Sequence, residues 1–546
     1  MMSLKKAAFA LAFALCLAPA CVKVDQRLGQ DLIDKSLLYD TYTVEFDLTD
    51  IQLRKTDDLS GYSDTRITLG AIRDETFGLT TRSSAFTLVP ALDTIDLGVN
   101  PEPVKFDIHF AADTVSVASE DQRHILQNVY VYALTDSLDR TSGGINKPIP
   151  HEKERITRGV PVLNGTDSLS FEFTESFARK YIQEIQRLGG SDHILKSYED
   201  YVYALPGIYI ETDTPSGIGG RINLIELSCL SVSDGYYTRN NNIGLLTIRS
   251  TYDGVRKDTT FLFIPGEPMF YDEATYISEQ QKFSQYVLNH CTHETVDGPA
   301  TDRILIEGGG GLKPVISARE LRAGTLSAIQ AKGGNPKTAV INKASLLLPL
   351  LPVDDWSALD LCPSILSPTI RLTADDGTVS FAGLTDASAS SENQGNLDRS
   401  NLTYAPDITY HLQEVLLSDE VTDEHDIWFL SVHTETEEQA NGSAYDEYYQ
   451  QMMYANYYNY LYGGGYGYGG YGYGGYGYGN YGYGGYNNYY NYYNYMMLMS
   501  AMSSSSNSVT TSQELDRDRY YRGILAGPAS TEARPRFQVT FSLPKD

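Results

Sequence analysis

The sequence predicts a mainly β, sandwich-like fold that is β-rich with a few inserted helices. Short runs of alternating apolar and polar residues recur along the chain, and turn pairs such as Asn164-Gly165 and Asp253-Gly254 separate them. Helical periodicity is confined to a few segments. A chain of 546 residues is long enough to bury a large core, either as one β domain or as two subdomains.

Alternation identifies the strands. From Tyr42 to Leu48 every second residue is apolar, as in a strand with one buried face. Ala344–Val353 is too short to cross a membrane and is expected to form a buried strand pair or core segment. The other predicted strands are Arg66–Ile72, Val104–Phe110, Asn128–Leu134, Leu169–Phe173, Gly207–Glu211, Ile222–Val232, Leu245–Ser250, Thr260–Ile264, Arg303–Ile306, Ala339–Leu348, Thr369–Thr373, Ile408–Val415, Ile427–His433, Tyr520–Leu525 and Arg536–Leu543.

Helical patterns are few. Glu175–Leu188 places its apolar residues on one face and ends at Gly189-Gly190, which predicts an amphipathic helix. Asp192–Tyr203 is a candidate for a second helix, and Glu273–Asn289 and Ala318–Ala331 show weaker helical patterns.

The first residues form a bacterial lipoprotein signal. Lys5-Lys6 precede an apolar run from Ala7 to Leu17, and small residues lead to Cys21. The run is too short for a permanent membrane helix, so we expect cleavage before Cys21 and acyl chains on that cysteine. The alternative is an ordinary signal peptide cleaved near Ala20, while Cys16 lacks the preceding small residues.

Five regions follow from these patterns. We predict a signal peptide (1–20), a lipidated tether (21–35), a β-rich domain (36–440), a low-complexity insert (441–510) and C-terminal strands that complete the β domain (511–546).

Charge limits the partners. The net charge is −28, and it becomes −30 after cleavage because the removed segment holds two lysines and no acid. Such a surface excludes nucleic acid, whose phosphates require a basic partner.

The insert is chemically distinct from the rest of the chain. It contains about half of the 42 tyrosines, and Tyr466–Gly470 recurs three times in the next 15 residues. Glycine at this density disfavours a packed core, and the composition is typical of disordered, self-associating segments. We expect a long hairpin loop whose rings contact glycan, protein or other copies, unless the repeat is functionally neutral. The candidate self-association residues are Tyr466, Tyr468, Tyr471, Tyr473, Tyr476, Tyr478, Tyr481 and Tyr483.

Catalytic and cofactor motifs are missing from the sequence. Glu307–Gly311 is not followed by the Gly-Lys-Ser/Thr of a phosphate loop, so we expect a tight turn or a bulge that needs positive φ. His290–Glu294 is the densest ligand-like cluster, but adjacent residues rarely all face one metal, and a surface loop is expected. Asp375-Asp376 and the pair Asp516 and Asp518 carry calcium-type ligands without an EF-hand pattern, which favours solvated turns. We therefore predict no catalytic residue, no metal and no cofactor other than the acyl lipid on Cys21; calcium at the acidic pairs stays open without support.

Cysteine and tryptophan are scarce. Besides Cys21, the mature chain has Cys229, Cys291 and Cys362, so at most one disulfide forms and packing must stabilise the core. Trp356 and Trp428 leave a dedicated glycan platform open but do not by themselves support one, and Trp428 is expected in the core.

Seven segments together resemble a known family. They are Leu28–Ile33, Ser60–Ser63, Leu69–Asp74, Phe77–Thr81, Gly308–Leu312, Ala339–Leu346 and Arg534–Phe537. These segments resemble domain of unknown function 4270, a family of Bacteroidetes envelope lipoproteins. The resemblance implies a mostly β envelope lipoprotein and no catalytic residue. Cys21–Asp25 partly matches the lysine-then-acid pattern of surface-exported lipoproteins in this group, which favours the outer face of the outer membrane over the periplasmic face.

Three functions remain open at this point. The first is a non-catalytic scaffold, held on the outer membrane by its lipid, that binds an unidentified envelope protein or glycan. The second is an envelope hydrolase that acts on glycan or peptide, which requires a cleft with two carboxylates roughly 5 to 10 Å apart. The third is a subunit of an outer-membrane complex, which requires a large exposed apolar patch.

Overall fold

The computed structural model describes residues 38–63, 66–90, 92–111, 126–138, 144–163, 168–227, 231–233, 236–238, 243–266, 287–352, 356–375, 377–386, 394–438 and 509–545. The structure is rich in strands, with several sheets and few helices, which confirms the predicted mainly β class.

Thirty strands are described. The first seventeen are β1 (Tyr39–Asp47), β2 (Ile51–Lys55), β3 (Tyr62–Ser63), β4 (Arg66–Asp74), β5 (Gly78–Phe86), β6 (Leu88–Pro90), β7 (Val99–Ala111), β8 (Gln127–Leu134), β9 (His151–Arg155), β10 (Val162–Leu163), β11 (Ser168–Glu172), β12 (Ile208–Thr212), β13 (Gly219–Glu226), β14 (Ser231–Ser233), β15 (Tyr236–Thr238), β16 (Ile243–Tyr252) and β17 (Val255–Pro265). The others are β18 (Val287–His293), β19 (Gly298–Pro299), β20 (Arg303–Glu307), β21 (Leu312–Ile316), β22 (Val340–Pro349), β23 (Ile365–Thr373), β24 (Val379–Gly383), β25 (Leu397–Asp398), β26 (Thr403–Tyr404), β27 (Ile427–Glu438), β28 (Val509–Leu515), β29 (Arg522–Ala526) and β30 (Arg536–Pro544).

Four α-helices interrupt the strands in the described residues: α1 (Glu175–Gly189), α2 (Tyr198–Ala204), α3 (Ala318–Ala331) and α4 (Thr409–Leu417). Short 3₁₀ helices occur at Gly190–Asp192, Trp356–Leu361 and Asp423–His425. Helices α1 and α3 confirm the sequence prediction. In α1 the Thr174 hydroxyl caps the first turn by accepting from the Phe177 N–H.

The strands assemble into four larger sheets and two strand pairs. The orders are β10-β8-β12-β5-β18-β3 with β4, β13 and β9 attached; β11-β7-β16-β17-β6; β19-β2-β21-β27-β23-β24 with β28 attached; and β1-β30-β22-β26-β25. The pairs are β14-β15 and β20-β29.

Two large hydrophobic cores lie between these layers. The first joins the nine-stranded sheet to the β7-β16-β17 sheet and α1, and Phe106 at its centre contacts the rings of Phe173, Tyr181 and Phe263. The second joins the sheets containing β1 and β2 to α3 and α4. Its fully buried residues include Phe429, Phe537 and Phe541.

The strand prediction for Ile408–Val415 is wrong, because Thr409–Leu417 forms α4. Its apolar residues also fit a helical spacing, and so short a run does not distinguish the two periods. The Asp386 carboxylate accepts the N–H groups of Tyr410 and His411 at 2.6 and 3.0 Å. This tertiary contact holds the first turn of the helix.

Two further helix predictions need correction. Asp192–Tyr203 is helical only from Tyr198, because His193 takes a left-handed conformation that ends the preceding 3₁₀ turn. Glu273–Asn289 ends in a strand, since Val287–His293 forms β18 and its residues from Leu288 onward pair with β5. Residues 267–286 lie outside the described residues.

Candidate functional site

His290–Glu294 is not a surface loop. Residues up to His293 belong to β18, which lies between β5 and β3 in the nine-stranded sheet. Cys291 is fully buried, and the side chain of His293 is inaccessible to solvent. The prediction failed because polar residues in a short run suggest exposure, whereas here the strand face that carries Asn289, Cys291 and His293 is covered, and Thr292 on the opposite face is exposed.

Arg82 lies opposite Cys291 in the sheet register. Its guanidinium is 1 % exposed and contacts the Cys291 sulfur. It also donates to the carbonyls of Arg517 and Arg519, at 3.4 and 3.5 Å. Burial raises the pKa of the Cys291 thiol, and the nearby Arg82 charge only partly offsets this effect.

Glu307, at the end of β20, is the anionic centre of the site. Its carboxylate accepts hydrogen bonds from His293 Nδ1 (3.1 Å), the Thr295 hydroxyl and the Leu312 N–H (3.0 Å). An Arg522 nitrogen lies 3.7 Å from the same carboxylate. Burial alone raises the pKa of Glu307, but these bonds and the Arg522 charge outweigh it and hold the pKa below its usual range.

His293 is held in its neutral form. Burial lowers its pKa to about 4 despite the hydrogen bond to Glu307. Because an ionised carboxylate only accepts hydrogen bonds, Nδ1 carries the proton and Nε2 remains an acceptor. The Nε2 atom is buried and has no hydrogen-bond partner among the described residues.

The ammonium group of Lys313 lies inside the turn formed by Gly308–Gly311, here called the glycine turn, which follows Glu307. Its Nζ donates to the carbonyls of Glu307, Gly309 and Gly311 at 2.5, 3.0 and 3.1 Å. Burial lowers the pKa of Lys313 to about 7. The three carbonyl acceptors use the three protons of the ammonium form, so the turn stabilises the charged lysine and opposes the lowering of its pKa by burial.

The glycine turn confirms the expected need for positive φ. Gly309 has φ of +58°, and a Cβ atom there would lie 2.4 Å from Arg82 Nη1. Glycine is therefore required both by the backbone and by the close approach of the guanidinium.

Arg522 connects the turn to the nine-stranded sheet. Its guanidinium carbon lies 4.0 Å from the centre of the Tyr520 ring and 4.9 Å from that of Phe77. The group also donates to the Thr80 hydroxyl and to the Tyr521 carbonyl. Two aromatic faces and one carboxylate thus compensate a cation that is only 6 % exposed.

Residues Leu515–Arg522, here called the strap, cover the site. Asp516 accepts from the Tyr521 hydroxyl at 2.6 Å and from the Arg519 N–H at 3.0 Å. Asp518 accepts from the Ser63 hydroxyl and from Asn289 Nδ2. Both carboxylates are at most 5 % exposed, so the solvated turn predicted for Asp516 and Asp518 is wrong. Asp375, for which the same prediction was made, is exposed in a turn as expected, and Asp376 lies outside the described residues. These hydrogen-bond partners of Asp516 lie within the strap, and those of Asp518 come from distant strands. The hydrogen bonds make burial of the two acids tolerable.

The buried polar cluster of Arg82, Cys291, His293, Glu307, Lys313 and Arg522 therefore contains a thiol, an imidazole, a carboxylate and an amine. These are groups that catalyse reactions elsewhere, but here each is at most 6 % exposed or has an inaccessible side chain. Their contacts join the nine-stranded sheet to β20, β21 and β29. The arrangement fits a polar connection between layers better than a substrate site.

The β27-β28 hairpin holds the two ends of the Tyr/Gly region. The register runs from Val432 opposite Leu515 to Glu438 opposite Val509. The long hairpin expected from the sequence is thus observed up to Glu438, although its returning strand is β28 and not Tyr520–Leu525. Arg522–Ala526 forms β29 instead, and this strand pairs with β20.

The predicted lipidation residue and the eight candidate tyrosines lie outside the described residues. Cys291 and Cys362 are buried free thiols, and Cys229 is also outside the described part. Trp356 is 63 % exposed, whereas Trp428 is half-buried against the Phe381 ring. Arg82 and Arg522 were not anticipated, since a single arginine within a strand gives no local indication of burial.

Comparison with protein-family models, curated proteins and solved structures found no match. Within the described ranges, no group of three His, Cys, Asp or Glu residues is placed to hold a metal ion. In the same ranges, no helix has the length and apolar character needed to span a membrane.

Proposed function

We propose that this protein is a non-catalytic outer-membrane lipoprotein, anchored through Cys21, whose β scaffold presents the Tyr/Gly insert to an envelope glycan or protein. The observation that carries the proposal is the β27-β28 hairpin, which gathers both ends of the insert at one point. The strap follows β28 directly and is bonded to the nine-stranded sheet through Asp518. The insert is therefore attached to a firmly held part of the fold.

The polar cluster supports the non-catalytic part of the proposal. A hydrolase needs carboxylates that reach substrate, whereas Glu307, Asp516 and Asp518 are at most 5 % exposed and bonded within the chain. We assign this cluster to stability and to the position of the strap.

The anchor is tested by metabolic labelling with radioactive palmitate in the native cell. We expect label on the parent chain and on Cys16→Ser, and neither label nor membrane retention for Cys21→Ser. Label that persists in Cys21→Ser would contradict the anchor.

The role of the insert is tested with two variants of its eight candidate tyrosines. Changing all eight to Phe retains the rings, and changing all eight to Ser removes them. Retention on purified envelope polysaccharide and self-association in sedimentation are measured for both. We expect at least one of these activities in the parent and the Phe variant and neither in the Ser variant. Equal behaviour of all three would refute the assignment.

A further inference from the structure

Strand β1 ends its sheet, and within the described part of the chain its outer edge pairs with no other strand. It pairs with β30 over nine residues without a register shift, and it contains neither proline nor a bulge. The other terminal strands in the described residues have two to eight residues. A long, regular edge is a template for another strand unless something blocks it.

The outward-facing backbone groups can be assigned from the register. The Leu48 N–H donates to Pro535 and the Lys545 N–H donates to Leu38, so even-numbered residues face β30. The odd-numbered residues therefore direct their N–H and C=O groups away from the sheet. These residues are Tyr39, Thr41, Thr43, Glu45 and Asp47. Among the described residues, no strand other than β30 pairs with β1.

The apolar face of the sheet continues to this edge but is incompletely covered there. Tyr42, Val44 and Phe46 are only half-buried, whereas Phe537, Val539 and Phe541 on β30 are fully buried. Lys332, just after α3, lies over the Tyr42 ring, and Gly324 of α3 lies against Phe46. A further strand beside β1 would cover the exposed parts of the three apolar side chains.

We propose that a second copy of this chain occupies the edge, with two β1 strands pairing antiparallel about Thr43. In that register Tyr39 faces Asp47 and Thr41 faces Glu45, so all five outward residues of each strand are paired. This gives about ten backbone hydrogen bonds. Each acid then faces a tyrosine or threonine, whereas a parallel in-register pair would oppose each acid with itself.

Charge and side-chain pairing agree with this occupant. Asp40, Glu45 and Asp47 are paired within the chain to Lys545, Arg536 and Arg534. The strand therefore presents little net charge to its copy. Hydroxyl pairs already join β1 to β30, Thr43 to Thr540 and Thr41 to Ser542, each at 2.9 Å. Thr43 facing Thr43 would extend this ladder across the dimer.

The arrangement is also compatible with two lipid anchors, a point that rests on the proposed function. Antiparallel strands place the two Tyr39 residues about 27 Å apart. Residues 22–37 can span about 50 Å when extended, so both chains can remain anchored in one membrane.

The test uses the mature chain without Cys21 and with 439–508 replaced by Asn-Gly, so that neither lipid nor tyrosines contribute. Thr43→Pro removes an outward N–H and leaves the bonds to β30 in place, and Thr43→Ala is the matched control. In analytical ultracentrifugation we expect dimers for the parent and Thr43→Ala. We expect monomers for Thr43→Pro, with an unchanged melting temperature measured at a concentration where all three are monomeric. A monomeric parent, or a dimeric Thr43→Pro, would overturn the proposal.

A crosslink tests the register. In a Cys229→Ser background, Thr43→Cys should form a disulfide between copies on mild oxidation, because directly opposed residues have Cα atoms about 5.5 Å apart. Thr540 lies on β30, one strand inward from the edge, so Thr540→Cys should not form a disulfide between copies. Equal crosslinking of the two variants would contradict the Thr43-centred pair. Palmitate labelling at Cys21 is independent of both results, so failure of the dimer leaves the anchor test unaffected.

Discussion

Removal of the Glu307 carboxylate should be the most destabilising single change in the polar cluster. This group accepts from His293, Thr295 and the Leu312 N–H and lies beside Arg522, and it is fully buried. Glu307→Ala leaves a buried guanidinium without its anion and a backbone N–H without its acceptor.

The magnitude follows from these losses. Breaking a buried ion pair by removing one partner costs about 3 to 5 kcal/mol, which already includes much of the desolvation of the remaining charge. An unsatisfied N–H adds about 1 to 3 kcal/mol, although neighbouring losses are not additive. We expect a loss of about 4 kcal/mol in the free energy of unfolding, a large part of a typical 5 to 15 kcal/mol. Glu307→Gln keeps an acceptor and should lose about half as much.

The assay is urea unfolding of the mature chain at pH 7, followed by circular dichroism. The matched control is Glu102→Ala, which removes a glutamate paired with Arg256 on the surface, where the side chain is 60 % exposed. We expect the control to change stability by less than about 1 kcal/mol. If Glu307→Ala shifts the midpoint no more than Glu102→Ala, the cluster does not connect the layers as described.

Three other results should follow. Burial lowers the pKa of His411 to about 4, so on acidification the unfolded chain protonates this imidazole at a higher pH than the folded chain does. Between about pH 6.5 and pH 4, this difference should lower the free energy of unfolding by about 3 kcal/mol. Burial raises the pKa of Asp386 to about 6, so protonation of this carboxyl stabilises the folded state over the same pH range and opposes the His411 effect. The urea midpoints of the parent and of His411→Asn are therefore compared across this range. Parallel curves of midpoint against pH would exclude the His411 effect. Gly309→Ala should lower the free energy of unfolding by about 2 to 4 kcal/mol in the same assay, because positive φ and the Arg82 contact both oppose a Cβ. The control Gly333→Ala has positive φ but open space around the Cβ and should lose about 1 kcal/mol. Equal losses would contradict the close approach of Arg82 to Gly309. Replacing 439–508 with Asn-Gly should leave the melting temperature equal or higher, since Glu438 already faces Val509 and the shorter loop costs less entropy; a fall of several degrees in calorimetry would show that the insert supports the fold.

Local periodicity was sufficient where an element's own residues decide its structure. Helix α1 has an N-cap, an apolar face and a glycine end within one stretch, and its observed bounds differ from the predicted ones by one residue. The hairpin around the insert follows from the strand-like segments on either side of it, but the returning strand lies about ten residues earlier than the predicted Tyr520–Leu525. That error arose because β28 is polar and lacks a clear apolar alternation.

The sequence by itself determined the β-rich class and about half of the described strands, because a strand's two-residue period is present in its own residues. Tertiary structure decided the polar cluster. Its members come from β5, β18, β20, β21 and β29, and their burial depends on layers that meet only in the folded chain. It also decided α4, whose first turn is held by Asp386 from outside the helix. A buried charge is tolerated only when distant partners surround it, and no short sequence window contains those partners.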